Sequence, residues 1–248
     1  PETMFTYSVE DKILFPCDFF GSHIAKSRLY DDELGDIVLP EAKRYYAEIM
    51  MPFPIAIQRA LDKVKNLELE MIAPSHGPIY RNPKRIVDAY EQWARGPLQK
   101  KAVVVYVTMW ESTSALEKAI AESISAEGVE TVPYNLLVSD VSHIMRDLVD
   151  ASAIVIGAPT VLNGAHPLAI MMTEIIRAIK PRTKSVALFS SYGWGRGAVK
   201  MMTDRLQQSG FEILDALEVR GPPKKEDLEK AANLGKRVAQ RIKESLKT

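Results

Sequence analysis

The stretch KAVVVYVTMWESTS, running from Lys101 to Ser114, decides the fold. Its first part is an almost unbroken apolar, β-branched run, and the polar part leads straight into a helical pattern. Strands without polar alternation are those buried on both faces, which is the situation in a parallel sheet covered by helices. The same texture recurs outward from this stretch in VETVPYNL from Val129, SAIVIGAPT from Ser152, KSVALFSSYG from Lys184 and FEILDALEVRG from Phe211. Helical runs begin near Ser112, Asp140, Pro167, Gly195 and Lys224, between and after these strands. A fivefold alternation of strand and helix predicts an α/β, doubly wound, five-stranded parallel sheet over residues 99–248.

Residues 1–98 have a different character and are expected to form a separate domain. Nine of the 15 prolines fall there. One short strand, KILFPCDFF, stands out, and ELEMIAPSHGPIY reads as a second strand that ends in a Pro/Gly loop. Helical patterns cover PEAKRYYAEIMM, continuing past PFP into IAIQRALDKVKN, and NPKRIVDAYEQWARG. Pro52 and Pro54 should kink or split the first of these. No internal repeat or low-complexity segment is visible.

Composition narrows the function. The 248 residues are 46% hydrophobic, which is globular, and 32 Lys+Arg balance 32 Asp+Glu to a formal net charge of +0. A neutral chain argues against a nucleic-acid binder that works through a basic face. The apolar runs are strand-length and well short of the ~20 residues that span a bilayer, so no membrane partner is expected. The sole cysteine, Cys17, excludes an internal disulfide framework and an all-cysteine zinc site. PETMFTYSVEDK at the N-terminus has neither a basic nor an apolar signal region, and a cytoplasmic protein is the expectation.

Ligands of open parallel sheets bind beyond the carboxyl ends of the strands. Three loops fall at that edge. The first, Thr108-Met109-Trp110-Glu111-Ser112-Thr113-Ser114, gathers four hydroxyls at a helix N-terminus and suits a phosphate monoester held by hydroxyls, backbone N–H groups and the helix dipole. Ser112 or Thr113 also fits a simple helix cap, which explains one hydroxyl and not four. GxGxxG and GxxxxGK[ST] are both missing, so neither a dinucleotide pyrophosphate nor a Walker A phosphate is well served. The second loop is Ala158-Pro159-Thr160-Val161-Leu162-Asn163-Gly164. The third is Ser190-Ser191-Tyr192-Gly193-Trp194-Gly195-Arg196-Gly197. Their small residues allow close backbone approach to a flat ligand, and Trp110, Tyr192 and Trp194 offer stacking faces. Either loop alone also reads as ordinary turn chemistry. A phosphate cradle beside an aromatic-edged slot suits flavin mononucleotide (FMN). The pattern resembles flavodoxin-like domains, and the resemblance implies the strand order 2-1-3-4-5. A response regulator shares that architecture but needs acidic residues where this chain has Thr108 and Pro159-Thr160.

In the first domain, Asp18 closes an apolar strand in FPCDFFGSH, and His76 lies in the rigid PSHGP loop. Together they suit a borderline metal such as iron or zinc. Taken singly, Asp18 also fits a cap and His76 a structural turn residue.

PETMFTY, EDKILFPCDFFGSH, APSHGPIYR, the TMWEST loop, GAPTVLNG and SSYGWGRGAV occur in this order and resemble flavodiiron proteins (A-type flavoproteins). That family joins a metallo-β-lactamase-like diiron domain to a flavodoxin-like FMN domain. The resemblance implies that residues 1–98 are the C-terminal half of an αββα metallo-β-lactamase-like domain. Asp18 is similar to the carboxylate bridging the irons, His76 to the last histidine ligand, and His23 to a residue of the diiron surroundings. The family's H-x-E-x-D-H ligand motif, and a further histidine before the PETM-like segment, are not found in this sequence. The expectation is therefore a C-terminal portion of a larger unit, whose diiron site is completed by a complementary N-terminal chain or segment.

The function this implies is an oxidoreductase that passes electrons from a reduced donor through FMN to a diiron site reducing O₂ to water or NO to N₂O. Rubredoxin, a reduced deazaflavin or an NADH-linked reductase would serve as donor, and a head-to-tail homodimer would bring flavin and metal together. Two other functions fit parts of the sequence. One is an FMN-binding electron carrier without a metal site; the other is a zinc hydrolase, against which the FMN-like loops argue.

Overall fold

The computed structural model describes residues 4–247, so Pro1, Glu2 and Thr3 of the PETMFTY motif, and Thr248, lie outside the described residues. The chain divides between Pro97 and Leu98 into two units.

The first unit is built on a small mixed sheet. Strand β1 (Thr6–Ser8) pairs antiparallel with β2 (Ile13–Phe15), which pairs parallel with β3 (Met71–Ile72). The strand expected over KILFPCDFF stops at Phe15 for a local reason. Pro16 has no N–H to give the ladder, and Cys17 turns left-handed at φ 53°. Helix α1 (Val38–Tyr45) continues into a π-helical turn, Tyr46–Met50, and α2 (Pro54–Val64) follows. The predicted long helix is thus split at Pro52 and Pro54. Pro54 occupies the first turn of α2, where a missing N–H breaks no hydrogen bond. Helix α3 (Pro83–Arg95) buries Ile86, Tyr90 and Trp93, one helical stripe, on its inner face. Tyr90 packs edge-on against Phe20 and Tyr46, with ring centroids 4.7 and 5.1 Å away.

The second unit is a five-stranded parallel sheet with helices between its strands. Its elements are β4 (Lys101–Tyr106), α4 (Ser112–Ala126), β5 (Glu130–Asn135), α5 (Val141–Leu148) and β6 (Ala153–Val161). After a two-residue strand, β7 (Gly164–Ala165), come α6 (Pro167–Ile179), β8 (Ser185–Tyr192), α7 (Ala198–Gln207), β9 (Glu212–Arg220) and α8 (Lys225–Ser245). The order across the sheet is β5-β4-β6-β8-β9, the 2-1-3-4-5 arrangement. The central strands are buried on both faces, as their unbroken apolar sequences require: Val103, Val104, Val105, Ile154, Val155, Ile156, Leu188 and Phe189 are all fully buried. Pro133 sits in β5, an edge strand, where proline is tolerated.

On one face, Leu116, Ile120 and Ile124 of α4 join Leu234, Val238 and Ile242 of α8 in a single core. The two helices approach closely at Gly235, where an added Cβ would lie 2.5 Å from the Ile120 carbonyl oxygen. One expectation needs correction. Ala158–Gly164 is not an open loop: β6 runs through to Val161 and pairs antiparallel with β7. Leu162 and Asn163, at φ 46° and 62°, form the two-residue hairpin turn that needs positive φ at both positions.

Candidate functional site

The first, third and fourth strands of the parallel sheet, β4, β6 and β8, are neighbours, so the segments that follow them converge at one edge. They line a cavity of ≈ 490 Å³, within the ordinary range for small-molecule sites. Of the residues singled out in the sequence, Met109, Trp110, Ser112, Thr113, Pro159, Thr160, Val161, Leu162, Ser191, Tyr192, Gly193 and Trp194 form its wall. Thr108, Glu111, Asn163, Gly164 and Gly195 do not line it. Asn163 and Gly164 belong to the β6–β7 hairpin instead. Gly221 and Pro222 line the cavity and escaped the sequence reading. Their signal was a Gly-Pro turn at the carboxyl end of the fifth strand.

The four hydroxyls of the first segment have different surroundings. Thr113 Oγ1 is buried and lies 2.9 Å from Ser191 Oγ, so it ties the first segment to the third. Ser114 pairs with the Tyr106 phenol. Ser112 lines the cavity at the first position of α4. Thr108 is only 5% exposed, and among the described residues its Oγ1 has no hydrogen-bond partner. Leaving a buried hydroxyl unpaired costs about 1–3 kcal/mol, so the position is unfavourable unless a ligand satisfies it. Glu111, just before α4, adopts a left-handed conformation at φ 59° and makes no side-chain cap bond. The first backbone N–H groups of α4 thus have no intrahelical acceptors and, with the helix dipole, favour an anion. On the rim, Trp110 and Trp194 are 86% and 81% exposed, which leaves their faces open for stacking. A second hydroxyl pair, Thr160 Oγ1 and Ser190 Oγ at 3.4 Å, links β6 to β8, and Thr160 also accepts from the Ala198 N–H at the start of α7.

In the first unit, β2 and β3 run parallel with Leu14 opposite Ile72, so the loops beyond their carboxyl ends emerge side by side. Ser75 N–H donates to the Cys17 carbonyl and Ser22 N–H to the His76 carbonyl, at 2.8 and 3.1 Å, locking the two loops together. This brings Asp18 Oδ1 within 3.4 Å of His76 Nε2, although the two residues are distant in sequence. Both line a second cavity of ≈ 490 Å³ together with Ser22, His23, Tyr45 and Gly77. His23 Nε2 faces Glu48 at 3.4 Å, and its ring lies 5.0 Å from that of Tyr45. Burial, reinforced by the charge of Asp18 and then Cys17, pushes the Tyr45 phenol up to about 12, so it stays protonated.

Residues 104–235 match the Flavodoxin family model, and residues 1–77 match the ODP family beta lactamase model. Across the chain there is 38% identity over 248 residues to a nitric oxide reductase of Moorella thermoacetica, covering 98% of this chain and 62% of that protein. A coenzyme F420H₂ oxidase of Methanothermobacter thermautotrophicus is 35% identical over 247 residues, covering 96% of this chain and 61% of that one. Among solved structures, rubredoxin oxygen:oxidoreductase from Desulfovibrio gigas superposes with a TM-score of 0.96 at 27% identity, over 100% of this chain and 64% of that chain. The flavodiiron protein of Giardia intestinalis gives 0.93 at 28% identity, over 98% of this chain and 61% of that one. The chain thus spans about 62% of the length of the curated relatives it matches.

A partial β-lactamase-like segment followed by a flavodoxin domain defines the class. The chain belongs to the flavodiiron protein family.

A flavodoxin domain implies FMN, and the second-unit cavity fits that group on an observation independent of family: Ser112 lines it at the first position of α4, where the leading N–H groups favour an anion, and the exposed Trp110 and Trp194 line it as well. Iron is different. Among the described residues, no group of three or more His, Cys, Asp or Glu side chains is arranged to hold a metal ion. Asp18 and His76 supply two donors, and two donors do not fit a pair of irons. No helix among the described residues is long and apolar enough to cross a membrane.

Proposed function

We propose that this chain is the flavin-bearing component of a flavodiiron-type oxidoreductase. In this reading it takes electrons from a reduced donor and, with ligands supplied from outside these 248 residues, serves a diiron site that reduces O₂ to water or NO to N₂O. The observation that carries the flavin part is the cavity that Ser112, at the α4 N-terminus, lines together with Trp110, Tyr192 and Trp194, with the unpaired Thr108 hydroxyl in the same segment as Ser112. Thr108 and Ser112 would hold the phosphate, with the first N–H groups of α4 completing its partners. The aromatic side chains and Gly193 would flank the ring and keep water from it. Bound there, FMN supplies reversible one- and two-electron transfer. The Thr113–Ser191 hydrogen bond would hold the phosphate and ring subsites at fixed separation.

Asp18 and His76 are proposed as the ligands this chain contributes to the metal site, completed by a complementary N-terminal chain or segment. The relatives' names include rubredoxin and coenzyme F420H₂ on the donor side and oxygen and nitric oxide on the acceptor side. A rubredoxin-type or reduced deazaflavin donor therefore suits this chain best. A head-to-tail homodimer belongs to the same reading; the exposed Trp110, Leu162 and Trp194 form an apolar rim suited to being covered.

Native mass spectrometry tests the proposal. The chain alone is expected to carry one FMN and no iron pair. Supplied with a segment bearing H-x-E-x-D-H, it is expected to gain iron, and to lose it in Asp18→Asn or His76→Ala while keeping FMN. Iron retained in both variants would defeat the ligand assignment. FMN without iron even in the completed protein would favour an electron carrier, a reading supported by the two-donor site.

A further inference from the structure

Arg220, the last residue of the edge strand β9, stands opposite Tyr192 in the β8–β9 ladder. Its Nε donates to the Gly193 carbonyl at 3.0 Å. The neighbouring Gly221 N–H donates to the Tyr192 carbonyl at 2.8 Å. Two successive carbonyls of the third cavity segment are thereby drawn toward β9. Gly193 and Trp194 line the cavity and Arg220 does not.

A trans peptide points its C=O and N–H in opposite directions, and the chain has no cis peptide bond among the described residues. Tying the Gly193 carbonyl to Arg220 therefore turns the Trp194 N–H away from β9. Among the described residues that N–H has no backbone acceptor. A second guanidinium stiffens the same segment. Arg196 Nε donates to the Tyr192 hydroxyl at 3.1 Å, and Glu218, on β9, faces Arg196 at 3.9 Å. The hydrogen bond to Gly193 is the one that sets the orientation of the peptide.

We infer that Arg220 is a positioning residue for the flavin. It holds the Gly193–Trp194 peptide with its N–H available to the bound ring, and so sets both FMN affinity and the preference for reduced over oxidised flavin. Reduction places extra electron density on the ring's nitrogen and oxygen acceptors, and a fixed donor at their edge stabilises that form more than the oxidised one. The inference rests on the FMN reading of this cavity.

The test compares the full chain with Arg220→Met, which loses the donor, and Arg220→Lys, which keeps one. The readouts are the FMN dissociation constant, from flavin fluorescence, and the two-electron midpoint potential, measured against a reference dye. Arg220 is exposed at a strand end, so the apoproteins are expected to melt alike. Should the Met variant melt early, Arg220→Gln, whose shorter side chain lacks the reach, serves the same comparison. Oxidised FMN is expected to bind roughly tenfold more weakly to Arg220→Met, as for one lost hydrogen bond. Reduced FMN should lose a further tenfold, read as a midpoint about 30 mV lower, with Arg220→Lys restoring most of both. A wild-type protein that binds FMN, beside an Arg220→Met variant with unchanged constant and potential, overturns the inference and leaves the FMN assignment standing. A wild-type protein that binds no FMN defeats the FMN assignment itself.

Discussion

Replacing Thr108 by valine should move stability and ligand affinity in opposite directions. The side chains have the same shape, so packing at the end of β4 is preserved. Thr108 Oγ1 is buried and has no partner among the described residues. An unsatisfied buried hydroxyl costs about 1–3 kcal/mol, so removing it should stabilise the apoprotein by up to that amount. For a domain of this size each kcal/mol raises the melting temperature by about 2–4 °C. The FMN-bound state should respond the other way. A hydrogen bond to a charged phosphate oxygen contributes about 1.5–3 kcal/mol. Its loss weakens binding roughly 10- to 150-fold. Calorimetric melting of the apoprotein and fluorescence titration with FMN read the two quantities separately. A lower apoprotein melting temperature together with an unchanged FMN constant would show that the hydroxyl has a hidden structural partner and no ligand, and would refute the argument.

Gly235→Ala tests the α4–α8 contact. On an open helix the change would gain about 1 kcal/mol of helix propensity. Here the new Cβ would meet the Ile120 carbonyl oxygen at 2.5 Å, so a net loss of about 1–3 kcal/mol is expected in urea denaturation. Thr113→Val should loosen the two cavity-lining segments it joins to each other, lowering the melting temperature by a few degrees for about 1 kcal/mol of lost hydrogen bonding. His166 caps α6 by accepting the Leu168 N–H on Nδ1 at 3.2 Å, and burial holds its pKa below the ordinary 6.5. The folded state therefore favours the neutral ring. This stability is complete above the unfolded-state value of 6.5 and is lost as pH falls from there through the lower folded-state value. His166→Asn, a cap at any pH, should flatten that acid-side decline, worth about 0.5–2 kcal/mol. Urea midpoints at pH 7.5 and 5 for both proteins check it.

Much of the second unit was legible in sequence because burial on both faces leaves a mark that needs no partner. Val103–Val105 and Ile154–Ile156 can be apolar without interruption only in a covered sheet, and the alternating helices follow from the parallel connection. The β6–β7 hairpin was missed because Leu162 is not a residue that announces positive φ, although Asn163-Gly164 beside it is a turn signal. In the first unit, the proline splits at Pro52 and Pro54 were legible because proline acts through its own ring. The end of β2 at Pro16 has the same local cause, whereas the left-handed turn at Cys17 leaves no mark in the sequence.

The sequence alone determined the properties that reside in single segments: the alternation of strand and helix, the hydroxyl-rich run beside a helix start, and the residue types available to bind phosphate, flavin or metal. Only the tertiary structure decided which of those residues meet. Thr113 is engaged by Ser191, Ser114 by Tyr106, and Thr108 is left unpaired. Asp18 reaches His76 because β2 and β3 pair in parallel register. Arg220 reaches Gly193 because β9 lies beside β8. The physical reason is the same in each case: periodicity and propensity are local, whereas a hydrogen bond between distant residues exists only once strand pairing has set its two ends a bond length apart.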